Sequence, residues 1–270
     1  MQPRPRKAGA AFLIKGNRAG RSEYFPTMPN TSKILLPLDF PSADAALAMA
    51  AQTHNDVAGF KIGLELVNAA GFDIFARLQD QVGPETRIFY DCKFHDIPNT
   101  VAGAVRAASR RNVWMLNVHA VGGGEMMRAA CRAAGEGADA AHAACPLVVA
   151  VTVLTSTHAH ALQTEMGVSQ PLDQYVVHLA RLAQDSGCDG VVASPLETAS
   201  IRAACGPDFL IVTPGVRPLG ADAGDQKRIM TPGEAVRAGA DYLVVGRPIT
   251  SAPDPGEAAR AINRDAGNLA

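Results

Sequence analysis

The sequence predicts a single α/β domain folded as a (β/α)8 TIM barrel, and three observations favour this fold. Eight short apolar segments alternate with Ala- and Leu-rich segments from residue 33 onward, as in parallel sheets whose strands are joined by helices. A length of 270 residues suits one such barrel. Polar residues follow most of the apolar segments, and the carboxyl ends of barrel strands are where functional groups gather.

The individual elements follow from hydrophobic periodicity and from turn residues. The predicted strands are Ile34–Leu38, Ala58–Ile62, Arg87–Cys92, Trp114–Val118, Leu147–Val153, Gly190–Ala193, Phe209–Val212 and Tyr242–Val245. The predicted helical segments include Ala43–Ala51, Val101–Arg111, Gly124–Ala134, Leu172–Asp185, Pro195–Ala204 and Glu234–Ala238. A doubly wound open sheet is the alternative, but no Gly-x-Gly-x-x-Gly follows the first strand. No linker divides residues 31–270, so one barrel domain is expected there.

Composition and charge argue against several classes of protein. The formal net charge of −1 gives no indication of a nucleic-acid partner. No apolar run approaches the roughly 18 residues of a membrane span. The five cysteines are odd in number and lack a Cys-x-x-Cys pair, which favours a reducing, cytoplasmic compartment over a disulfide framework or a zinc site. The His158-Ala-His160 spacing occurs at metal sites, but no third ligand stands nearby, so no metal is expected.

The first thirty residues differ in composition from the rest of the chain. They contain six basic residues and one acidic residue. A transit peptide would share this bias, but the apolar residues here form no sustained amphipathic face. We expect residues 1–30 to be a disordered basic extension, or the product of a start codon placed too early, since Met28 lies just before the first strand. We expect them to carry no function.

The most informative stretch is Asp91-x-Lys93-x-x-Asp96, which continues as Ile-Pro-Asn-Thr through Thr100. An apolar strand precedes it, and Pro98 is placed to open the next helix. Because residues i and i+2 of a strand share a face, Asp91 and Lys93 should project together. Two carboxylates and an ammonium are costly to bury unless they satisfy each other or a ligand. A salt bridge at a strand end would explain Asp-x-Lys alone; the longer motif is more specific.

Two earlier strand ends add charges to this region. Asp39 follows Leu35 and Pro37 at even spacing, so all three should face the barrel interior, although a helix N-cap is the alternative for Asp39. Lys61 stands in an apolar segment, where a lysine needs a partner. We expect a network in which each charge is flanked by its opposite, formed by Asp39, Lys61, Asp91, Lys93 and Asp96.

The last two strands supply candidates for binding phosphate. Loops after strands seven and eight form the usual phosphate site of these barrels. Gly246 would let the backbone approach a ligand, and Arg247 would offer a two-pronged donor to its oxygens. The segment from Arg217 to Gln226 is predicted to be a mobile lid whose ends touch the ligand. An ordinary exposed loop is the alternative.

Taken in order, these motifs resemble the orotidine 5'-phosphate decarboxylase family over nearly all of residues 33–250. The matching landmarks are Leu38-Asp39, Phe60 through Gly63, Asp91 through Thr100, Val151 through Ser156, Thr213 through Arg217, Gly224-Asp225-Gln226, Thr231-Pro232 and Val245 through Thr250. The resemblance implies a homodimer that converts orotidine 5'-phosphate to uridine 5'-phosphate in pyrimidine biosynthesis, without a metal or organic cofactor.

The resemblance also implies a role for each matching residue. Lys93 would give a proton to pyrimidine C6, Asp91 would lie against the substrate carboxylate, and Lys61 would complete the charge array. Asp96 would reach the site of the neighbouring subunit. The remaining substrate-binding residues would be Asp39 at the ribose, Thr100, Thr155 at the base, and Arg217, Gln226, Gly246 and Arg247 at the phosphate.

Another enzyme on the same barrel is the closest alternative. The 3-keto-gulonate 6-phosphate decarboxylases and hexulose-phosphate synthases share Asp-x-Lys-x-x-Asp, but they require magnesium and act on acyclic sugar phosphates. The Ile-Pro-Asn-Thr continuation and the Gly-Asp-Gln segment favour the nucleotide enzyme. A non-catalytic nucleotide-binding barrel is a further alternative, which the presence of both Asp91 and Lys93 makes less attractive.

Overall fold

The computed structural model of the protein describes residues 32–218 and 230–267. Within these ranges eight parallel strands pair in sequence order, and the last pairs with the first, so the predicted (β/α)8 barrel is confirmed. The predicted strands agree with the observed ones to within two residues at either end. The strands are β1 Ile34–Pro37, β2 Gly59–Gly63, β3 Ile88–Phe94, β4 Met115–His119, β5 Leu147–Val151, β6 Gly190–Val192, β7 Leu210–Pro214 and β8 Tyr242–Val244.

Helices surround the barrel and connect its strands. They are α1 Ala43–Thr53, α2 Leu64–Ala70, α3 Ile74–Val82, α4 Pro98–Ser109, α5 Gly123–Ala141, α6 Ala159–Thr164, α7 Leu172–Asp185, α8 Thr198–Cys205, α9 Pro232–Arg237, α10 Arg247–Thr250 and α11 Pro255–Asp265. The sequence prediction has no helix at α2 and α3, which both lie between β2 and β3. None of the helices in the described ranges is long and apolar enough to cross a membrane.

Local sequence signals explain where several helices begin. The Ser42 hydroxyl accepts a hydrogen bond from the backbone N–H of Ala45 and caps α1, so Asp39 is released from that role. Pro98 occupies the first turn of α4, where its missing N–H costs nothing. Because Ser42 and Pro98 fix these helix starts, they also fix the short loops that leave the carboxyl ends of β1 and β3.

The alternation of side chains along the strands creates two apolar cores. On β1, Leu35 points into the barrel, while Ile34 and Leu36 pack against the surrounding helices. On β5, Val149 points inward in the same way. The inner core fills the barrel below its carboxyl end, so the charged groups at the strand ends have an apolar floor beneath them.

Aromatic and cationic side chains occupy the amino-terminal end of the barrel. The Arg87 guanidinium lies 5.2 Å from the centre of the Trp114 ring, and that ring meets Tyr242 edge-on at 5.1 Å. These residues stand at the starts of β3, β4 and β8. They cover the inner core from below, and access to the interior is therefore from the carboxyl end.

Two predictions fall on parts of the chain that the structure does not describe. The basic extension over residues 1–30 lies outside the described residues. Most of the predicted lid, including Gly224, Asp225 and Gln226, lies in the undescribed interval 219–229.

Candidate active site

Four charged side chains form an alternating chain at the carboxyl end of the barrel. The Lys61 ammonium lies 3.1 Å from the Asp39 carboxylate and 3.2 Å from the Asp91 carboxylate. The other oxygen of Asp91 lies 2.7 Å from the Lys93 ammonium. The order is therefore Asp39, Lys61, Asp91, Lys93, and each charge contacts a charge of opposite sign, as the sequence predicts for these four residues.

Burial and pairing together determine the charge states in this chain. Burial lowers the pKa of Lys61, but the carboxylates of Asp91 and Asp39 outweigh it, so the pKa lies above its ordinary value. Burial likewise raises the pKa of Asp91, but Lys61, Lys93 and a hydrogen bond from Asn117 bring it below its ordinary value. At neutral pH Lys61 is a buried cation and Asp91 is a largely buried anion.

The backbone of β3 departs from regular strand geometry between Asp91 and Lys93. Tyr90 pairs with Leu116 and Phe94 with Val118, so the three residues Asp91–Lys93 lie opposite the single residue Asn117. Lys93 has φ of 53°, a left-handed conformation that is unusual for a residue with a side chain. Asp91 and Lys93 are therefore neighbours, as their i, i+2 spacing predicts, but a bulge and not regular strand alternation brings them together.

Asn117 occupies the space that this bulge encloses. Its side chain is fully buried. Its amide nitrogen donates to Asp91 Oδ1 at 2.7 Å, and its amide oxygen accepts from the backbone N–H of Lys93 at 2.6 Å. Asn117 is not among the site residues predicted from the sequence, although a buried amide in the middle of an apolar strand is a signal that polar partners are near.

Gly63 leaves room beside the charged chain. A Cβ atom at this position would lie 3.1 Å from the Lys61 ammonium and 3.2 Å from the Asp39 carboxylate. Gly63 has φ of −105°, which any residue can adopt. Space, and not backbone conformation, is therefore what glycine supplies here.

A cleft opens directly above the charged chain. Lys61, Asp91, Lys93 and Thr155 supply its polar lining. The apolar lining comes from Phe89, Leu154, Val192, Ala193, Pro214 and Val244. A planar organic ring would find apolar contacts on its faces and charged groups along one edge, an arrangement common in small-molecule sites.

Two other residues of the central motif lie away from this cleft. Asp96 is exposed, and its carboxylate accepts a hydrogen bond from the backbone N–H of Ile97 at 2.6 Å. Within the described ranges Asp96 takes part in no ion pair. It therefore does not join the charged chain of its own subunit, unlike in the network of five charges predicted from the sequence. Thr100 is also exposed, in the first turn of α4. Their predicted roles toward substrate stay predictions.

The predicted phosphate-binding residues lie at the ends of β7 and β8. Arg217 is buried, and its backbone N–H donates to the carbonyl of Met230 at 3.0 Å. Gly246 and Arg247 follow β8 at the start of α10, and Arg247 is exposed. A Cβ atom on Gly246 would lie 3.0 Å from the ring of Pro37, so glycine permits a close approach here too. Gln226 lies outside the described residues.

Two histidines lie near Asp91 and Lys93. The rings of His95 and His119 lie 5.6 Å apart, at the carboxyl ends of β3 and β4. Burial, His95 and the nearby Lys93 lower the pKa of His119. His119 is therefore neutral at neutral pH.

The other histidine pair has a structural explanation. The His158 ring nitrogen accepts a hydrogen bond from the backbone N–H of Ala161 at 3.0 Å and caps α6. Across residues 32–218 and 230–267, no three His, Cys, Asp or Glu side chains are grouped as they would be around a metal ion.

The fold and the site define a class: a (β/α)8-barrel enzyme with alternating carboxylates and ammonium groups at the mouth of the barrel. The model of the orotidine 5'-phosphate decarboxylase / HUMPS family matches residues 32–262. The chain belongs to this family.

Individual relatives agree with that assignment. A protein from Moorella thermoacetica named orotidine 5'-phosphate decarboxylase is 52% identical over 230 residues, which cover 85% of this chain and 90% of that protein. One of the same name from Heliobacterium modesticaldum is 48% identical and covers 87% and 96% of the two chains. A crystal structure of orotidine 5'-phosphate decarboxylase from Lactobacillus acidophilus matches with a TM-score of 0.76 at 35% identity, covering 87% of this chain and 99% of that one.

Proposed function

We propose that the protein decarboxylates orotidine 5'-phosphate to uridine 5'-phosphate, a step of pyrimidine biosynthesis, and that it needs no metal or organic cofactor. The observation that carries the proposal is the chain of Asp39, Lys61, Asp91 and Lys93 at the mouth of the barrel. Family membership and the names of the relatives support the same activity.

The reaction explains why an ammonium is placed here. When the bond between C6 and the carboxylate breaks, its electron pair stays on C6, which has no adjacent carbonyl to receive it. An ammonium fixed beside C6 stabilises that charge in the transition state and then supplies the proton. Lys93 is the proposed donor; its Nζ–H bond breaks as the C6–H bond forms, and solvent returns the proton to Lys93.

Asp91 is the proposed neighbour of the departing carboxylate. Its lowered pKa keeps it anionic, so a second carboxylate placed against it is repelled. Loss of carbon dioxide removes that repulsion, while Lys61 and Lys93 hold Asp91 in place. The repulsion in the bound substrate and its release as carbon dioxide leaves both favour the transition state over the bound substrate.

The rest of the cleft provides for the rest of the nucleotide. Thr155 and the apolar lining would contact the base, and Asp39, whose side chain is 47% exposed, is available to the ribose hydroxyls. Arg217, Gly246 and Arg247 stand at the ends of β7 and β8, where barrels of this type bind phosphate. Binding of the phosphate supplies binding energy at a distance from the reacting carbon.

The assay that tests this function follows the absorbance of orotidine 5'-phosphate with and without a metal chelator. We expect turnover that the chelator leaves unchanged. Turnover of an acyclic sugar phosphate that stops on chelation would establish the magnesium-dependent alternative instead. No reaction with either substrate would favour a nucleotide-binding barrel without catalytic activity.

We further propose that the enzyme is a cytoplasmic homodimer whose active sites are shared. Four large apolar side chains that follow β2, β3 and β4 are exposed, as expected of an interface. They are Leu64, Phe72, Ile97 and Val121. Asp96 is exposed beside Ile97 and takes no part in the charged chain of its own subunit, so it is available to the partner's site. The five cysteines are all free thiols, which fits a reducing compartment.

Subunit complementation tests the shared site. Lys93→Ala and Asp96→Ala should each be inactive alone, but a mixed dimer has one site with both lesions and one with neither. Random exchange makes half of the dimers mixed, so about one quarter of all sites should regain activity. Differently tagged subunits establish that exchange has occurred. A mixture that exchanges and stays inactive would mean that Asp96 acts within its own subunit.

A further inference from the structure

Asn117 connects the two reactive residues by two different kinds of contact. Its amide nitrogen donates to the Asp91 side chain, and its amide oxygen accepts from the backbone of Lys93. One rigid, planar group therefore fixes a carboxylate and the peptide that carries the ammonium. Both bonds are short, at 2.7 and 2.6 Å, and the Asn117 side chain is fully buried, so water does not reach its amide group.

The conformation of Lys93 requires such a contact. A left-handed backbone is unfavourable for a lysine and persists only where the surroundings hold it in place. With Asp91–Lys93 lying opposite one residue of β4, the regular ladder cannot satisfy the Lys93 N–H, and the Asn117 side chain takes the place of a strand carbonyl. The bulge in turn lets the Lys93 ammonium reach Asp91 Oδ1 at 2.7 Å.

We propose that Asn117 is the positioning residue of the decarboxylation: it holds the Asp91 carboxylate and the left-handed Lys93 backbone in the arrangement that places the proton donor at the reacting carbon. The proposal rests on the proposed function and adds a residue to it. Asn117 acts through Asp91 and Lys93, and it is assigned no contact with substrate.

Asn117→Ala removes both hydrogen bonds and tests the proposal through the balance of kcat against KM. Misplacement of a reacting group by about 1 Å costs on the order of 10²-fold in rate, so kcat should fall by about that factor. KM should change by less than about threefold, because an interaction that matters only in the transition state lowers kcat and kcat/KM together. A kcat within about threefold of wild type overturns the proposal.

Asn117→Asp gives a sharper readout because it keeps one contact and reverses the other. An introduced carboxylate still accepts from the Lys93 N–H, but it repels Asp91. At lower pH the introduced carboxyl takes up a proton and donates to Asp91 Oδ1, as the amide does. Burial and the like charge of Asp91 raise the pKa of the introduced group, whereas Lys61 and Lys93 keep Asp91 ionised.

The expected result is a rescue by acid. The ratio of the Asn117→Asp kcat to the wild-type kcat should rise by at least about tenfold from about pH 8 to about pH 5. The same ratio for Asn117→Ala, which introduces no titratable group, should be flat. A flat ratio for Asn117→Asp overturns the proposal, since a residue that only stabilises the fold would not make turnover depend on its own protonation.

The neighbouring titratable groups do not produce that ratio. Cys92 packs against Asn117 from β3, but burial raises the pKa of its thiol to about 12, so it stays neutral over this range. His119 on β4 and the exposed His95 are present in all three proteins, so the ratio for Asn117→Ala controls for both of them. On the other side of Asn117, β5 offers Val149 as the paired residue, which does not titrate.

Asn263 is a matched control for the loss of a buried amide. It is buried on α11, and its side chain donates to the carbonyl of Asp56 at 2.7 Å. Asn263→Ala should lower the melting temperature and leave kcat unchanged. If Asn263→Ala lowers kcat as much as Asn117→Ala does, the effect at Asn117 is one of general stability and the proposal fails.

A crystal structure of Asn117→Ala decides the geometry without any substrate. Lys93 should leave the left-handed region, and its ammonium should move away from Asp91 Oδ1; an unmoved pair overturns the proposal. The two failures are separable. A wild-type protein without decarboxylase activity contradicts the proposed function, whereas an active wild type with an unimpaired Asn117→Ala variant contradicts only the role of Asn117.

Discussion

Replacing Lys93 with alanine should separate activity from stability. The Lys93 ammonium is one of three groups that contact the Asp91 carboxylate, and its removal leaves Lys61 at 3.2 Å and the Asn117 amide at 2.7 Å in place. Asp91 therefore stays paired in the variant. The Lys93 side chain is 32% exposed, so solvent already screens part of its interaction.

The cost to folding should accordingly be small. A partly exposed ion pair contributes up to about 1 kcal/mol, which corresponds to a shift in melting temperature of about 2–4 °C for a chain of this size. The cost to turnover should be large. A positioned proton donor contributes about 10²-fold or more, and Lys61 cannot replace it because two carboxylates hold it on the far side of Asp91.

Lys61→Ala is the informative contrast. Lys61 is buried between Asp39 and Asp91, and removing one partner of a buried ion pair costs about 3–5 kcal/mol. Because Asp91 keeps Lys93 and Asn117, the lower end applies, about 3 kcal/mol or a loss of about 6–12 °C in melting temperature. Lys61→Ala should thus lose both stability and activity, whereas Lys93→Ala loses chiefly activity.

The measurements are thermal unfolding and the decarboxylation rate at saturating substrate. Lys33→Ala is the control, because Lys33 is a partly buried lysine just before β1, at the opposite end of the barrel. It should change neither quantity appreciably. Turnover of Lys93→Ala within about tenfold of wild type would refute the role of Lys93 as proton donor. A fall in melting temperature as large as that of Lys61→Ala would refute the reasoning on stability.

Three further outcomes can be checked with single variants. Gly63→Ala would bring a methyl group 3.1 Å from the Lys61 ammonium and should lower kcat/KM at least severalfold. Gly135→Ala is the control, because nothing lies within 4 Å of a Cβ atom there, and it should not lower kcat/KM. Equal activities of the two variants would contradict the spatial argument. Because the pKa of His119 is lowered in the folded state, its contribution to stability is present above the ordinary value of 6.5 and is lost as pH falls through the folded pKa. His119→Gln should therefore flatten the decline in unfolding free energy from about pH 7 to about pH 5. An unchanged slope in the variant would contradict this expectation. A chain that starts at Met28 should keep wild-type activity and melting temperature, and a large loss of either would show that the basic segment has a role.

The barrel and most of its charged chain could be predicted because each rests on a local pattern. Inward and outward residues alternate along a strand, so the spacing of Leu35 and Asp39 was enough to place Asp39 at the mouth of the barrel. Lys61 was recognisable because an apolar strand makes an unpaired lysine too costly. The start of α4 was visible in the sequence as Pro98.

The position of Asp96 illustrates where local patterns stop. Its spacing from Lys93 fits a shared charge network equally well within one subunit and across two. The choice depends on the path of the loop between β3 and α4, which leaves Asp96 exposed and bonded to the Ile97 N–H. A local pattern does not encode the direction of an irregular loop, since tertiary contacts set it.

Asn117 was not predicted as a site residue for a different reason, although its signal is present in the sequence. Asparagine is depleted in strands, and here it interrupts an apolar run with its side chain on the inner face, where an amide must find partners. Identifying those partners requires the register between β3 and β4, and the regular register would place one residue of β3 opposite Asn117. The bulge places three there, Asp91–Lys93. The bulge and the amide depend on each other: without the bulge the Lys93 N–H would not face the Asn117 side chain, and without that acceptor the left-handed Lys93 would lack its short hydrogen bond.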